Sequence, residues 1–440
     1  MKRGFYTIAA AQFFSSLGDN ALLIAAIALL GEQHAPEWMT PFLKSFFVVS
    51  YVVLAAFVGA FADSMPKGRV MFVTNTIKLG GAALMFLGSH PLLAYGVVGF
   101  GAAAYSPAKY GILTELLPPE DLVRANGWIE GLTVASIVLG TAIGGILISQ
   151  HVASYLLSFD APYIETGIHT AAQAAIATIS TIYLVAAIFN LHIVNTGVHY
   201  PKSQRNPIRL FTDFAHCFKI LWLDRLGRIS LAVTTLFWGA GATLQFIVLE
   251  WARRSLGLSL SEGSTLQAVV AIGVTIGALV AGRVPLKKCM SVLPVGIAMG
   301  LLVIALAYFK RSLLPDYSIH LMGFHLQLYL IVACFLLITI GAMAGFFLVP
   351  MNALLQHRGY VLMSAGHSIA VQNFNENVSV LVMLSVYGLL VRYRIDIQTT
   401  IVLFGIFVCG IMLMIMRHHR ENQREFDSVA MIGVVVTHHP

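Results

Sequence analysis

Apolar residues run along this chain in windows too long for the helices of a soluble core. They occupy about 5–30, 42–62, 70–88, 92–116, 126–150 and 169–194. After a break they resume at about 228–252, 265–282, 291–309, 326–350, 362–390 and 399–416. An unbroken apolar stretch of about 20 residues is what an α-helix needs to cross a bilayer. Twelve such windows predict an all-α membrane protein of twelve transmembrane helices in two six-helix bundles, 1–194 and 228–416. A polar connector (195–227) containing Pro201 and Pro207 would join them, and a polar tail (417–440) would follow.

The two halves echo one another. VGAFADSMPKGRV (58–70) and IGALVAGRVPLKK (276–288) align Gly59 with Gly277, each placing a glycine in a span before a basic tight loop. FSSLGDNALL (14–23) sets against FWGAGATLQF (237–246) at nearly the same offset. Repeats of like orientation imply bundles related by an axis along the membrane normal, with substrate reached alternately from either side. The loop at Gly59, Asp63, Gly68 and Arg69 resembles the G-x-x-x-D-x-x-G-R signature of the major facilitator superfamily, its last glycine one position late. The resemblance implies the major facilitator fold and a conformational latch at those four residues. Ala281 stands where the second copy would carry the acid, so the latch is expected to be asymmetric.

Composition agrees: 58% of residues are hydrophobic and 11% charged, against about a quarter charged in soluble domains. The formal charge of +7 reports topology, because eighteen of the 27 Lys and Arg fall on the side of the N-terminus. Six lie in the opposite loops: Arg253, Arg254, Lys310, Arg311, Arg392 and Arg394. By the positive-inside rule both termini are cytoplasmic, and nucleic acid has no place in the account. Cys217, Cys289, Cys334 and Cys409 have no metal-type spacing and read as reduced packing residues. The first apolar run continues past any signal-peptide cleavage point to Leu30, so it reads as an uncleaved span.

Polar groups inside spans mark the chemistry. Asp19 is the one charged side chain between Phe5 and Leu30, and Gln12, Ser15, Ser16 and Asp19 share a helix face, with Asn20 beside them. A charge at that depth costs about 3 kcal/mol or more unless it faces protein or water. Span four carries GFGAAAYSPAKYGILTELLPPE (99–120), in which Tyr105, Lys109 and Tyr110 surround Pro107. Lys109 would need an acid among Asp19, Glu115 and Glu130, or would receive an anionic headgroup. Lys78 lies nearer the loop and is expected to snorkel to the interface. Span eleven holds Gln372, Asn373, Glu376 and Asn377, and span ten closes with Pro350 and Asn352. Glu250 with Arg253 or Arg254 reads as an interfacial pair.

Neither a P-loop nor a dinucleotide fingerprint is present, so the chain carries no motif for burning ATP, and no cofactor is expected. Gly366-His367-Ser368 lacks the last glycine of a nucleophile elbow. His418-His419 and His438-His439 lack metal spacing. AQFFSSLGDNALL, FADSMPKGRVM, GAAAYSPAKYGILTEL, ANGWIEG, LFWGAGATL, GFFLVPMNALLQ and AVQNFNEN, in order from about 10 to 380, resemble the bacterial lysophospholipid transporter family. The resemblance implies a non-enzymatic transporter of the bacterial inner membrane. It would move lyso-phosphatidylethanolamine and lyso-phosphatidylglycerol from the outer to the cytoplasmic leaflet, where a separate acyltransferase/acyl-ACP synthetase reacylates them. Headgroup contacts would come from Gln12, Ser16, Asp19, Asn20, Tyr105, Lys109, Tyr110, Gln245, Gln372 and Glu376. Gln245 stands where the family is expected to carry an Arg. Two other readings compete: a proton-coupled facilitator for small amphiphilic drugs or a polar nutrient, and a membrane-embedded enzyme or scaffold of lipid repair.

Overall fold

A computed structural model describes residues 3–35, 39–157, 168–198, 206–258, 260–315, 317–321 and 324–432. Lys2, Pro201, Lys202, Arg205 and His438-His439 lie outside them. The described helices are α1 (Arg3–Glu32), α2 (Met39–Val53), α3 (Ala55–Asp63), α4 (Lys67–Phe86), α5 (Pro91–Leu116), α6 (Pro119–Ile148), α7 (Gln150–Leu157) and α8 (Ala171–Leu191). They continue with α9 (Pro207–Leu223), α10 (Arg225–Leu256), α11 (Leu260–Ala281), α12 (Leu293–Tyr308), α13 (Leu328–Leu362), α14 (Ala365–Arg392) and α15 (Ile397–Glu425). An antiparallel hairpin, β1 (Ser318–Leu321) with β2 (Phe324–Gln327), pairs Ser318 with Gln327 before α13.

Each of the twelve apolar windows is helical. The second is broken at Leu54, where α2 and α3 meet at 66°. Among the described residues eight helices are long and apolar enough to cross a membrane, and the bent pair makes a ninth. Two of the remaining helices, α4 and α5, are less apolar because they turn Lys67, Asn75, Lys78 and Lys109 inward, where all four are buried. Pro107 and Pro350 lie inside α5 and α13, which run on through them.

Contacts divide the chain into two units, one made of 1–118, 135–220 and 362–374, the other of 119–134, 221–361 and 375–440. Helices α6 and α14 each contribute one segment to either unit.

Lipid tails are as apolar as leucine, so these helices are held by close packing rather than by hydrophobic burial. In the first unit Leu22 and Ala25 of α1, Leu43 of α2, Met85 of α4, Val98 of α5 and Ile176 and Tyr183 of α8 form one buried cluster. Gly99 lets α5 reach the α2 backbone: a Cβ there would stand 2.7 Å from the Phe47 carbonyl oxygen. In the second unit Gly273 and Gly277 of α11 face the Ile338 and Ala342 carbonyls of α13. Gly341 and Gly345 of α13 return the contact to Val270 and Val274. Two small-xxx-small faces thus interlock.

This packing generates a paired prediction. Gly277→Ala drives a methyl into the Ala342 carbonyl and destabilises by roughly 1–3 kcal/mol. Gly80→Ala, on an exposed turn of α4 with nothing within 4 Å of the added carbon, stabilises by about 0.5–1 kcal/mol. Melting in detergent micelles measures both.

Candidate functional site

The polar stripe of α1 meets α4, α5 and α8 in the first unit. The Lys78 ammonium donates to Asp19 Oδ2 at 2.7 Å and to Ser15 Oγ at 2.9 Å. Ser15 in turn donates to Asn75 Oδ1 at 2.7 Å. Spacing explains the match: Ser15 and Asp19 are one turn apart on α1, and Asn75 and Lys78 one turn apart on α4. The Tyr183 hydroxyl donates to Asp19 Oδ1 at 2.9 Å, and the Tyr95 hydroxyl donates to the Asp19 carbonyl at 3.2 Å. Gly18 admits the Tyr183 ring, whose Cε1 would lie 2.8 Å from a Cβ at that position. The Lys78 ammonium also stands 5.0 Å from the centroid of the Tyr105 ring.

Lys78 therefore does not snorkel. Its side chain is 2% exposed, against 15% for Asp19. Two acceptors at membrane depth hold its head, and Gly101 makes room for its stem, since a Cβ there would stand 2.8 Å from Lys78 Cγ. An ammonium at this depth is stable because its hydration is replaced by a carboxylate, a hydroxyl and an aromatic face.

The remaining candidates are distributed. Gln12 is buried on α1, while Ser16 and Asn20 are half-buried, and the Asn20 amide donates to the Ser16 carbonyl at 2.8 Å. Lys109 is buried with its ammonium 4.0 Å from the Tyr110 ring centroid. Tyr105, Tyr110 and Gln372 are buried in the same unit, and the Ser106 hydroxyl donates to Asn373 Oδ1 at 3.3 Å. Glu376 is buried in the other unit. There the exposed Gln245 side chain donates to Gln267 Oε1 at 3.2 Å and its carbonyl accepts from Gln267 Nε2 at 2.9 Å. Of the three acids weighed for Lys109, Asp19 holds Lys78, Glu115 accepts from Thr196 at 2.6 Å, and Glu130 accepts from Asn352 at 3.1 Å.

At the α3–α4 turn, Asp63 reaches the first turn of α14. Its Oδ1 accepts the Gly366 N–H at 3.2 Å, and its Oδ2 meets His367 Nδ1 at 2.9 Å and the Ser364 hydroxyl. A carboxylate here caps orphan N–H groups at the positive end of a 28-residue helix. Lys67 bonds Asp63 Oδ1 at 2.5 Å and lies 3.7 Å from Glu115. Gly59 sits under this contact, with the His367 Cα 2.9 Å from where a Cβ would stand, and Gly68 packs against Ile193. Arg69 is exposed, so the base that serves Asp63 is Lys67, four residues on, which sequence reasoning passed over. In the second copy Ala281 is buried, and the Ala278 carbonyl and Gly282 instead pack on Gly127 of α6.

The second unit has polar contacts of its own at the end of α13. Asn126 and Gln356 exchange amide hydrogen bonds of 2.9 and 2.8 Å. Arg358 holds Asp224 through two bonds, of 3.0 and 2.6 Å, and Asp224 also caps α10 through the Gly227 N–H. Among the described residues no cluster of three His, Cys, Asp or Glu could hold a metal.

The Asp19–Lys78 pair carries a testable cost. Asp19→Asn leaves a buried ammonium without its counter-charge and lowers stability by about 3–5 kcal/mol. The double variant Asp19→Asn/Lys78→Met recovers most of that loss. Melting temperatures of the three proteins in micelles check it, and an unchanged melting point for Asp19→Asn would contradict the pairing.

Known proteins place this architecture. The Major Facilitator Superfamily profile matches residues 8–359. A lysophospholipid transporter LplT of Yersinia enterocolitica is 41% identical over 399 residues, covering 90% of this chain and 89% of its own. That of Yersinia pestis is 42% identical over 394 residues, covering 89% and 88%. Among solved structures the E. coli fucose:proton symporter superposes with a TM-score of 0.66 at 13% identity, covering 94% of this chain and 98% of its own. The human organic anion transporter MFSD10 gives 0.66 at 14%, covering 95% and 100%. These two likenesses speak to fold alone. A helical chain matched over four-fifths of its length by one profile and along nearly all of it by the Yersinia proteins belongs to the Major Facilitator Superfamily and, within it, to the LplT lysophospholipid transporter family.

Proposed function

We propose that this protein carries lysophospholipids from the outer to the cytoplasmic leaflet of a bacterial inner membrane by alternating access. Both termini are cytoplasmic in this reading, the spans divide as 1–194 and 228–416, and a separate acyltransferase/acyl-ACP synthetase consumes the cargo. The observation that carries it is the 41–42% identity to LplT transporters along about nine-tenths of the chain. The buried Asp19–Lys78 pair supplies chemistry that suits the cargo.

Phosphoethanolamine brings one anion and one cation. Its phosphate takes the Lys78 ammonium while its own ammonium takes Asp19, so no charge is stranded when the pair opens. Phosphoglycerol brings the anion alone; Asp19 then keeps Tyr183 and Tyr95. Gln12, Ser16, Asn20, Tyr105, Lys109, Tyr110, Gln245, Gln372 and Glu376 supply further headgroup contacts, and Gly59, Asp63, Gly68 and Arg69 form the latch, with Lys67 and His367 added to it.

In sealed vesicles holding the purified protein, fluorescent lyso-phosphatidylethanolamine crosses while a diacyl control stays behind. Lys78→Met slows both lysolipids by about tenfold or more, the rate equivalent of losing ~1.4 kcal/mol of headgroup interaction. Asp19→Asn slows the ethanolamine lysolipid more than the glycerol one. Native rates in both variants at normal expression, or no lysolipid transfer by folded native protein, would sink the reading.

A further inference from the structure

The second unit has a basic cavity at the end opposite the C-terminal tail. It is an open cleft of about 820 Å³ where α10 ends, the segment after α12 turns and α15 begins, lined by Arg254, Lys310, Arg311, Ser312, Asp396 and Gln398 among others. None of these residues belongs to the Asp19–Lys78 network or the latch. On the topology proposed above, which this inference rests on, these helix ends lie on the outer side at the level where phospholipid headgroups meet water.

Its charge is unusual for that face. Lys and Arg are depleted on the outer side of inner-membrane proteins, and the loops of the N-terminal half on that side (33–41, 87–91 and 158–170) contain none. All six outer basic residues fall in the C-terminal half, at Arg253, Arg254, Lys310, Arg311, Arg392 and Arg394, and three of them line this one cavity. Glu250 accounts for part of the charge: it pairs with Arg253 at 2.7 Å and with Arg254 Nε. Arg311 lies 5.1 Å over the Tyr329 ring, a stacking that orients a guanidinium. Asp396 is committed to capping α15, accepting the Thr399 N–H at 2.9 Å. The Thr399 side chain and N–H hold its carboxyl below the usual range. Glu250, shared between Arg253 and Arg254, and the committed Asp396 offset only part of the charge of Arg254, Lys310 and Arg311, so the cavity stays net positive, and Ser255 and Ser312 add hydroxyls. Leu256, Leu314 and Ile397 give it an apolar border.

We propose that this cavity is a binding site for the phosphate headgroup of an anionic phospholipid, separate from the transport site. Guanidinium and ammonium groups bind the phosphate oxygens. The apolar border accepts the start of the acyl chains. A free phosphate ion shares the anion chemistry but would leave that border unused.

Native mass spectrometry of the full-length protein released from micelles, titrated with phosphatidylglycerol, phosphatidylcholine and inorganic phosphate, tests this. Phosphatidylglycerol binds in preference to phosphatidylcholine. The triple variant Arg254→Gln/Lys310→Gln/Arg311→Gln weakens it on the order of 100-fold, as three interfacial cations would. All three side chains are exposed; should the triple variant misfold, Lys310→Gln alone weakens phosphatidylglycerol several-fold, and native binding falls as salt rises. Equal phosphatidylglycerol binding by native protein and variant overturns the proposal. So does variant-sensitive binding of inorganic phosphate without phosphatidylglycerol. Because the readout is binding of a diacyl lipid, its failure leaves the transport reading standing, and the reverse also holds.

Discussion

The constraint on which the first unit depends is that an ammonium and a carboxylate inside a membrane need each other. Lys78 and Asp19 meet at 2.7 Å, and each partner around them follows from that meeting. Ser15 and Asn75 complete the hydrogen bonds of the lysine side, while Tyr183 and Tyr95 complete those of the aspartate side. The small residues have the same cause: Gly18 admits Tyr183 and Gly101 admits the lysine stem. A four-helix contact is thus organised by one ion pair and the hydroxyl and amide groups that bond to it. Such a pair is weak as a source of net stability and strong as a selector of arrangement, because any slip of α1 against α4 separates the charges. It is also the kind of contact that a zwitterion can enter without stranding a charge.

Much of this was legible in the chain. Window length and apolarity located every helix that the structure places in the twelve windows, and the stripe Gln12–Ser15–Ser16–Asp19 announced an inward face on α1. The substitution of Ala281 for an acid announced that the two turns would differ, and they do. Where reading failed, the missing information was three-dimensional. Whether a lysine snorkels depends on what lies across from its stem, and for Lys78 that was Gly101 on another helix. The signature in the α3–α4 turn drew attention to Arg69, but the displaced glycine shifted the register, and the base within reach of Asp63 is Lys67. The break at Leu54 has neither proline nor glycine beside it, so no local residue marked it.

The two turns differ in what holds a long helix close to a loop. Both must hold the start of a long helix close to a loop. In the first copy Asp63 does this electrostatically, capping α14 and gathering Lys67 and His367 around it. In the second the backbone does it by proximity, with Gly127 and Gly282 removing the side chains that would keep α6 away. The charged version can be opened by competing protons or charges. The glycine version depends only on surface fit.

Among the described residues eight helices are long and apolar enough to cross a membrane, or nine with the bent pair, in a superfamily whose fold has twelve. The shortfall in α4 and α5 is physical. A helix must be apolar on the face it turns to lipid, whereas a face turned to neighbours can carry glycine, alanine and paired charges. Helix α5 has buried residues along nearly all its turns, and α4 buries both Lys67 and Lys78. Each inward charge lowers the apolar score of its helix. The buried lysines of α4 and α5 thus count against their helices in a hydropathy measure although they face protein.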